Sequence, residues 1–192
     1  MGNREKLIAT AAEIFGRRGY QATSVDHILE AAGVSPSNFY YHFKSKETLA
    51  YEVLERTFEE LRKEIAPIFV NRRLAPLEKL QQLHRLFVKK MEENGCRGGC
   101  PLGNLAQELS DSHPGFRQRL AEFFEECMAG IADIVAQGVR EGTFRRDVDP
   151  RAASYLLFGS IEGLILLSKS LKDVAPLERG FRQALELLAN QK

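Results

Sequence analysis

Seven prolines punctuate this chain, and six of them stand at or directly before a stretch whose apolar residues recur at three- and four-residue spacing. Proline lacks an amide hydrogen and has a fixed φ, so it suits the first position of a helix and breaks the hydrogen-bond ladder further in. Pro36, Pro76, Pro114, Pro150 and Pro176 each open such a stretch, and Pro101 immediately precedes one. Pro67 instead follows one and is expected to end it. No segment alternates apolar with polar residues, no hairpin dipeptide separates β-branched runs, and no tandem repeat is present. The chain is therefore expected to be all-α.

Within the first fifty residues the punctuation is denser. A helix over 4–18 places Leu7, Ile8, Ala11, Ala12, Ile14 and Phe15 on one face, and Gly19 ends it. A second begins near Thr23 or Ser24, either of which can cap it, with Val25, Ile28, Leu29 and Ala32 inward. Gly33 breaks the chain, Ser35 caps again, and a short third helix runs to about 43. Ser45 caps a fourth, from 46 to about 65. Beyond it, helices are predicted over 76–94, 102–109, 114–140, 150–171 and 176–190.

Length and composition bound the rest. The 192 residues, 44% hydrophobic and 28% charged, suffice for a packed core. A net charge of +1 does not by itself point to nucleic acid. The N-terminal residues read as no signal peptide, and the apolar run at 156–167 is interrupted by Glu162 and reads as too short to cross a bilayer. Three cysteines, an odd number, do not make a disulfide framework. A reduced, cytoplasmic protein with no membrane partner is expected.

Two short helices joined at Ala32-Gly33-Val34-Ser35 suit a helix-turn-helix, whose second helix enters the major groove. Phe39 and Phe43, four apart, are expected inside against Ile28 and Phe15. Ser37, Asn38, Tyr40, Tyr41 and His42 are then left outward, with no arginine or lysine among them to read guanine. The series Thr23-Ser24-Val25-x-x-Ile28, Ala31-Ala32-Gly33-Val34-Ser35 and Phe39-Tyr40-Tyr41-His42-Phe43-Lys44-Ser45-Lys46-Glu47 resembles the N-terminal signature of the tetracycline-repressor (TetR) family. The resemblance implies a helix-turn-helix DNA-binding head, residues 1–46, joined by a long helix to a C-terminal helical bundle, residues 47–192, that binds ligand and dimerises. It further implies a homodimeric repressor released from double-stranded operator DNA by a small molecule. An activator, or a binding protein that has lost DNA binding, are the alternatives.

Carried over by position, the resemblance places Ser35, Pro36, Ser37, Asn38 and Tyr41 near base edges. Tyr40, His42, Lys46, Thr23 and Ser24 fall at phosphate contacts, and Asn38 can pair with adenine.

In the second half, Gly98-Gly99-Cys100-Pro101-Leu102-Gly103-Asn104-Leu105-x-x-Glu108 puts a thiol at a helix start, where backbone amides stabilise a thiolate. Through Gly99-Cys100, Leu105 and Glu108 this segment is similar to one in an electrophile-responsive TetR subgroup. Cys100 is accordingly either a sensing or ligand-contacting thiol, or a small residue that packs. Leu83, Phe87, Met91, Leu105, Phe123 and Cys127 are expected to face the same interior, as core or as pocket lining. Cys96 is expected exposed in its loop. Cys96, Cys100 and a histidine (His84 or His113) lack the second ligand pair of a zinc site, and no nucleophile–base pair suggests an enzyme. No metal or cofactor is implied.

The helix over 150–171 carries apolar residues almost all round. Tyr155, Phe158, Gly159, Gly163 and Leu166, with Phe181 and Leu185 of the last helix, are expected at a two-fold interface of four helices, as the family forms.

Overall fold

Six of the seven prolines do open helices. The computed structural model describes residues 2–190. Its helices are α1 (Asn3–Arg18), α2 (Val25–Ala32), α3 (Pro36–His42), α4 (Lys46–Val70), α5 (Pro76–Glu93), α6 (Pro101–Leu109), α7 (Pro114–Glu141), α8 (Pro150–Leu171) and α9 (Ala175–Leu188). Pro36, Pro76, Pro101, Pro114 and Pro150 are first residues of their helices, and Pro176 is second in α9. The described residues form no strand, only one isolated antiparallel bridge between Phe144 and Ala189.

The chain divides into two compact units. One runs to Leu61 and takes in Pro101–Leu120; it contains α1–α3, the start of α4, α6 and the first turns of α7. Here α1 packs against α2 and α3. The apolar stripes meet in a core of Leu7, Ala11, Phe15, Ile28, Ala32, Phe39 and Phe43, with Val34 plugging the α2–α3 junction. Tyr51 of α4 stacks on Phe116 of α7 with centroids 4.1 Å apart and planes 8° from parallel.

The other unit holds Arg62–Cys100 and the chain from Ala121 on. Its centre is the packing of α8 on α9, with α5 against both. Ala153, Leu157, Ile161 and Ile165 are the buried stripe of α8, and Leu177, Phe181, Ala184, Leu185 and Leu188 that of α9. As a whole, α8 is longer than the apolar run read from the sequence, and by length and composition its 22 residues could cross a bilayer. One stripe of it is instead consumed by α9 and α5, and it carries Glu162 on its flank.

Pro67 is the exception to the rule of the prolines. The fourth helix was expected to stop before it, yet α4 continues through it to Val70. The ring forfeits the bond its amide would give to the carbonyl of Lys63 and crowds that carbonyl. Tertiary contacts outweigh this: Phe69 packs directly against Gly130 of α7, and the Phe69 carbonyl accepts a hydrogen bond from the buried Lys79 ammonium at 3.1 Å. Pro67 itself is exposed, so the freed Lys63 carbonyl can turn to water. Replacing Pro67 with Ala restores the ladder without touching those anchors. We expect Pro67→Ala to raise unfolding free energy by about 1–2 kcal/mol, measured by urea denaturation.

Candidate nucleic-acid interface

The turn between α2 and α3 is built from backbone requirements that the sequence meets residue by residue. Ser24 caps α2, its hydroxyl accepting the His27 amide at 3.2 Å while His27 Nδ1 accepts the Ser24 amide at 3.3 Å. This is a capping box with histidine in the place usually held by Glu or Gln. Gly33 sits at φ 58, ψ 42, a left-handed conformation open to glycine at little cost, and the Val34 amide reaches back to the Leu29 carbonyl at 3.1 Å. Ser35 then caps α3, with Pro36 at its first position.

What α3 shows to solvent is polar and aromatic. Tyr41 is 82% exposed and Tyr40 61%, while Phe39 between α3 and the core is fully buried. Ser35, Pro36, Ser37 and Asn38 are exposed, and His42, half-buried, lies edge-on to Tyr41 at 4.9 Å. The Ser35 hydroxyl is shared: Asn38 Nδ2 donates to it at 3.2 Å and the Ser37 hydroxyl lies 3.0 Å away. Ten exposed or half-exposed groups were expected here, and eight of them, all but Thr23 and Lys46, lie on or beside this surface.

Thr23 and Lys46 are turned inward, which corrects their expected place at phosphates. Thr23 is 1% exposed and its hydroxyl donates to the Gly19 carbonyl at 2.7 Å. Its burial leaves Ser24 as the cap of α2. Lys46 Nζ donates to the carbonyls of Tyr20 and Thr23, and lies 4.2 Å from the Tyr20 ring centroid. Burial holds its pKa below the ordinary lysine range, with Glu108 opposing. One cation absent from the expected contacts stands beside the turn: Lys6 of α1, whose Nζ is 3.7 Å from where a Cβ on Gly33 would stand. Helical periodicity marked only the apolar stripe of α1, so nothing in the pattern distinguished Lys6 from a solvated charge.

The residues expected to sense a ligand fall in both units. Leu83, Met91, Phe123 and Cys127 are buried in the second unit and Phe87 is half-buried there; Leu105 is buried on α6 of the first. Arg62 lies over the Phe123 ring at 5.1 Å and forks onto Glu126, which holds that carboxyl below its ordinary pKa. Burial pushes the Cys127 thiol up to about 12, so it remains a protonated, unreactive group. Cys100 is half-buried and hydrogen-bonds the side chain of Glu162. Burial raises the pKa of Glu162, and the Cys100 bond opposes it. In the sequence Glu162 is marked only as an interruption of an apolar run. Cys96, expected exposed, is 5% exposed, with its amide on the Met91 carbonyl at 2.7 Å and its carbonyl taking Lys172 Nζ at 3.3 Å. These bonds fold the loop back over its own side chain. All three cysteines are free, and among the described residues no three His, Cys, Asp or Glu side chains converge as metal ligands.

On α8, Tyr155, Leu156, Leu166, Leu167 and Leu171 are each about half exposed or more, with Leu187 of α9. Gly159 and Gly163 are exposed, with open space where a side chain would stand. Phe158 is half-buried, its ring 5.3 Å from that of Phe124. Phe181 and Leu185, expected at an interface between copies, are instead 1% and 5% exposed within the single chain. Phe181 stacks on His84 at 5.0 Å. The amphipathic stripe of α9 closes the protomer's own core.

Comparison with known proteins gives a consistent result. Residues 7–53 match the family described as bacterial regulatory proteins, tetR family, and residues 76–184 match the tetracyclin repressor-like C-terminal domain. The HTH-type transcriptional repressor DhaR of Mycobacterium sp. strain GP1 is 29% identical over 96% of this chain and 91% of its own. The transcriptional regulator AcuR of Cereibacter sphaeroides is 30% identical over 86% and 75%. Among solved structures, the regulatory protein TetR from Rhodobacter sphaeroides superposes with a TM-score of 0.89 at 28% identity, covering 96% of this chain and 98% of that one.

The α2 cap offers a direct check on how the α2–α3 turn is held. Ser24→Ala removes the acceptor of the His27 amide and is expected to cost about 1 kcal/mol of unfolding free energy, read by urea denaturation.

Proposed function

The chain belongs to the TetR family of DNA-binding transcriptional regulators, and from that premise we propose that it is a homodimeric repressor which a small molecule or electrophile releases from its operator. One observation carries the DNA reading: α3 is fixed by caps at both its own start and that of α2, yet presents Tyr40 and Tyr41 to solvent. Large aromatics at such exposure cost apolar hydration and gain nothing from the fold. In this reading the head, residues 1–46, places Ser35, Pro36, Ser37, Asn38 and Tyr41 at base edges. Ser24, Tyr40, His42 and Lys6 meet phosphates, and residues 47–192 bind effector and dimerise. The half-exposed strip of Tyr155, Leu156, Leu166 and Leu167 flanking Gly159 and Gly163 supports the dimer, because it is a contiguous apolar face a second copy would cover.

Contacts of this kind make binding fall steeply with salt, since each phosphate neutralised releases counterions. We expect Tyr41→Ala to weaken binding to a duplex selected by the wild-type chain from a random library by about 10-fold, measured by fluorescence anisotropy. Wild-type affinity in Tyr41→Ala would remove this face from the interface.

Release belongs to the second half. An effector shifts the equilibrium only by binding the DNA-incompetent state more tightly. Leu83, Phe87, Met91, Phe123 and Cys127 supply apolar lining for such a site, and the Cys100–Glu162 pair its polar groups. Leu105, on α6, belongs to the first unit and stands outside this lining. Cys100 is the least buried of the three thiols, which favours it as the point of electrophile attack. N-ethylmaleimide is expected to release the wild-type chain from the selected duplex and to leave Cys100→Ser bound. Equal release of both proteins refutes sensing at Cys100.

A further inference from the structure

Between α1 and α2 the chain runs Gly19-Tyr20-Gln21-Ala22-Thr23-Ser24, and its backbone is gripped from two directions by side chains far away in sequence. From the last turn of α6, Glu108 accepts the Tyr20 amide on Oε1 at 3.2 Å and the Gln21 amide on Oε2 at 2.9 Å. Two successive amides pointing the same way make a small anion-binding concavity, and a carboxylate with two oxygens matches it. From the first residue of α4, Lys46 Nζ donates to the Tyr20 carbonyl at 3.0 Å and the Thr23 carbonyl at 2.8 Å. The loop also closes on itself, with the Thr23 hydroxyl on the Gly19 carbonyl and the Thr23 amide on that of Tyr20. Gly19 adopts φ 85, and a Cβ there would stand 2.7 Å from Glu108 Oε1. The close approach of the carboxylate is thus written into the residue choice. Tyr20, 5% exposed, is fixed between Phe15, His113 and Phe116 under the Lys46 ammonium.

We infer that Glu108 and Lys46 are positioning residues for DNA binding: a carboxylate and an ammonium clamp the α1–α2 loop from its amide and carbonyl sides, and thereby set Ser24, α2 and the reading helix. Neither side chain touches DNA. Ser24 follows the clamped segment directly, and its hydroxyl and amide start α2, so a shift of the loop moves the first turn of α2 with it. The clamp also makes the head depend on α6, a nine-residue helix that begins immediately after Cys100 and carries Glu108 in its final turn. A displacement of α6 reaches the loop through two hydrogen bonds.

This inference rests on the proposed reading of DNA by α2 and α3, and the two fail differently. If that reading is at fault, Tyr41→Ala binds as the wild type does. If the clamp is at fault, Glu108→Gln binds as the wild type does. The experiment uses the full chain and the duplex selected by the wild type, with affinity followed across a salt series and amide exchange read by NMR. Glutamine can accept only one of the two amides and opposes a donor to the other. Glu108→Gln is therefore expected to bind at least about 10-fold more weakly with an unchanged salt slope, and to lose exchange protection at Tyr20 and Gln21 while the α1 core amides keep theirs. Lys46→Met should give the same pairing of weaker binding and unchanged slope, and it serves as the test where Glu108→Gln does not fold. Because both act on one loop, the double variant should lose less than the product of the single losses. A salt slope reduced by about one per protomer in Lys46→Met would mark a phosphate contact and overturn the clamp. Wild-type affinity or retained amide protection in Glu108→Gln, or losses that multiply, would overturn it equally.

Discussion

An α-helix leaves amides unpaired at one end and carbonyls at the other, and a chain made of helices must dispose of those groups at every junction. Much of this structure follows from how it does so. Prolines remove a donor at the start of six helices, and serine or aspartate side chains accept others at Ser24, Ser35 and Asp149. At two junctions local caps are not enough, and side chains from other helices complete the pairing. The loop before α2 is satisfied by α4 and α6, and the end of α4 by Lys79 of α5. Such partly buried pairing is required more than it is profitable. A satisfied hydrogen bond contributes about 1 kcal/mol net, whereas leaving a buried partner orphaned costs about 1–3.

This division explains how much could be read from the sequence. Features with a local cause were legible: the all-α class, the proline starts, the Gly33 turn, the Ser24 and Ser35 caps, and the inward pair Phe39 and Phe43. Features decided by distant residues were not. Nothing near Pro67 announces that Phe69 and Lys79 hold the helix on its far side. Thr23 and Lys46 carry the chemistry of phosphate ligands, and only their partners, Gly19, Tyr20 and Glu108, show that they face inward. Phe181 and Leu185 have the right periodicity for an interface, but periodicity finds an apolar stripe without saying whether another element of the same chain covers it. Glu162 shows the converse: a charge in an apolar run looked like noise until Cys100 was beside it.

The electrostatics of the first unit bear on the modest net charge. Arg4 pairs with Glu52, Arg56 with Glu5 and Glu60, and Arg119 with Glu55. Exposed pairs of this kind contribute little to stability, typically under about 1 kcal/mol each. Their larger effect is on the field, since each arginine so engaged is balanced locally and adds little to attraction at a distance. Lysine and arginine are also absent from the outer face of α3, so the proposed reading of base edges relies on hydroxyls, a carboxamide and tyrosine rings.

Those groups are not independent of one another. Asn38 and Ser37 both lean on the Ser35 hydroxyl, so the three side chains hold a shared arrangement before any DNA arrives. A change at one of them alters the rest orientation of the other two. Under the proposed reading of base edges, the sequence preference should consequently drift in jumps rather than by single letters. A lineage changing its operator would replace the trio together or pass through an intermediate that reads neither site well.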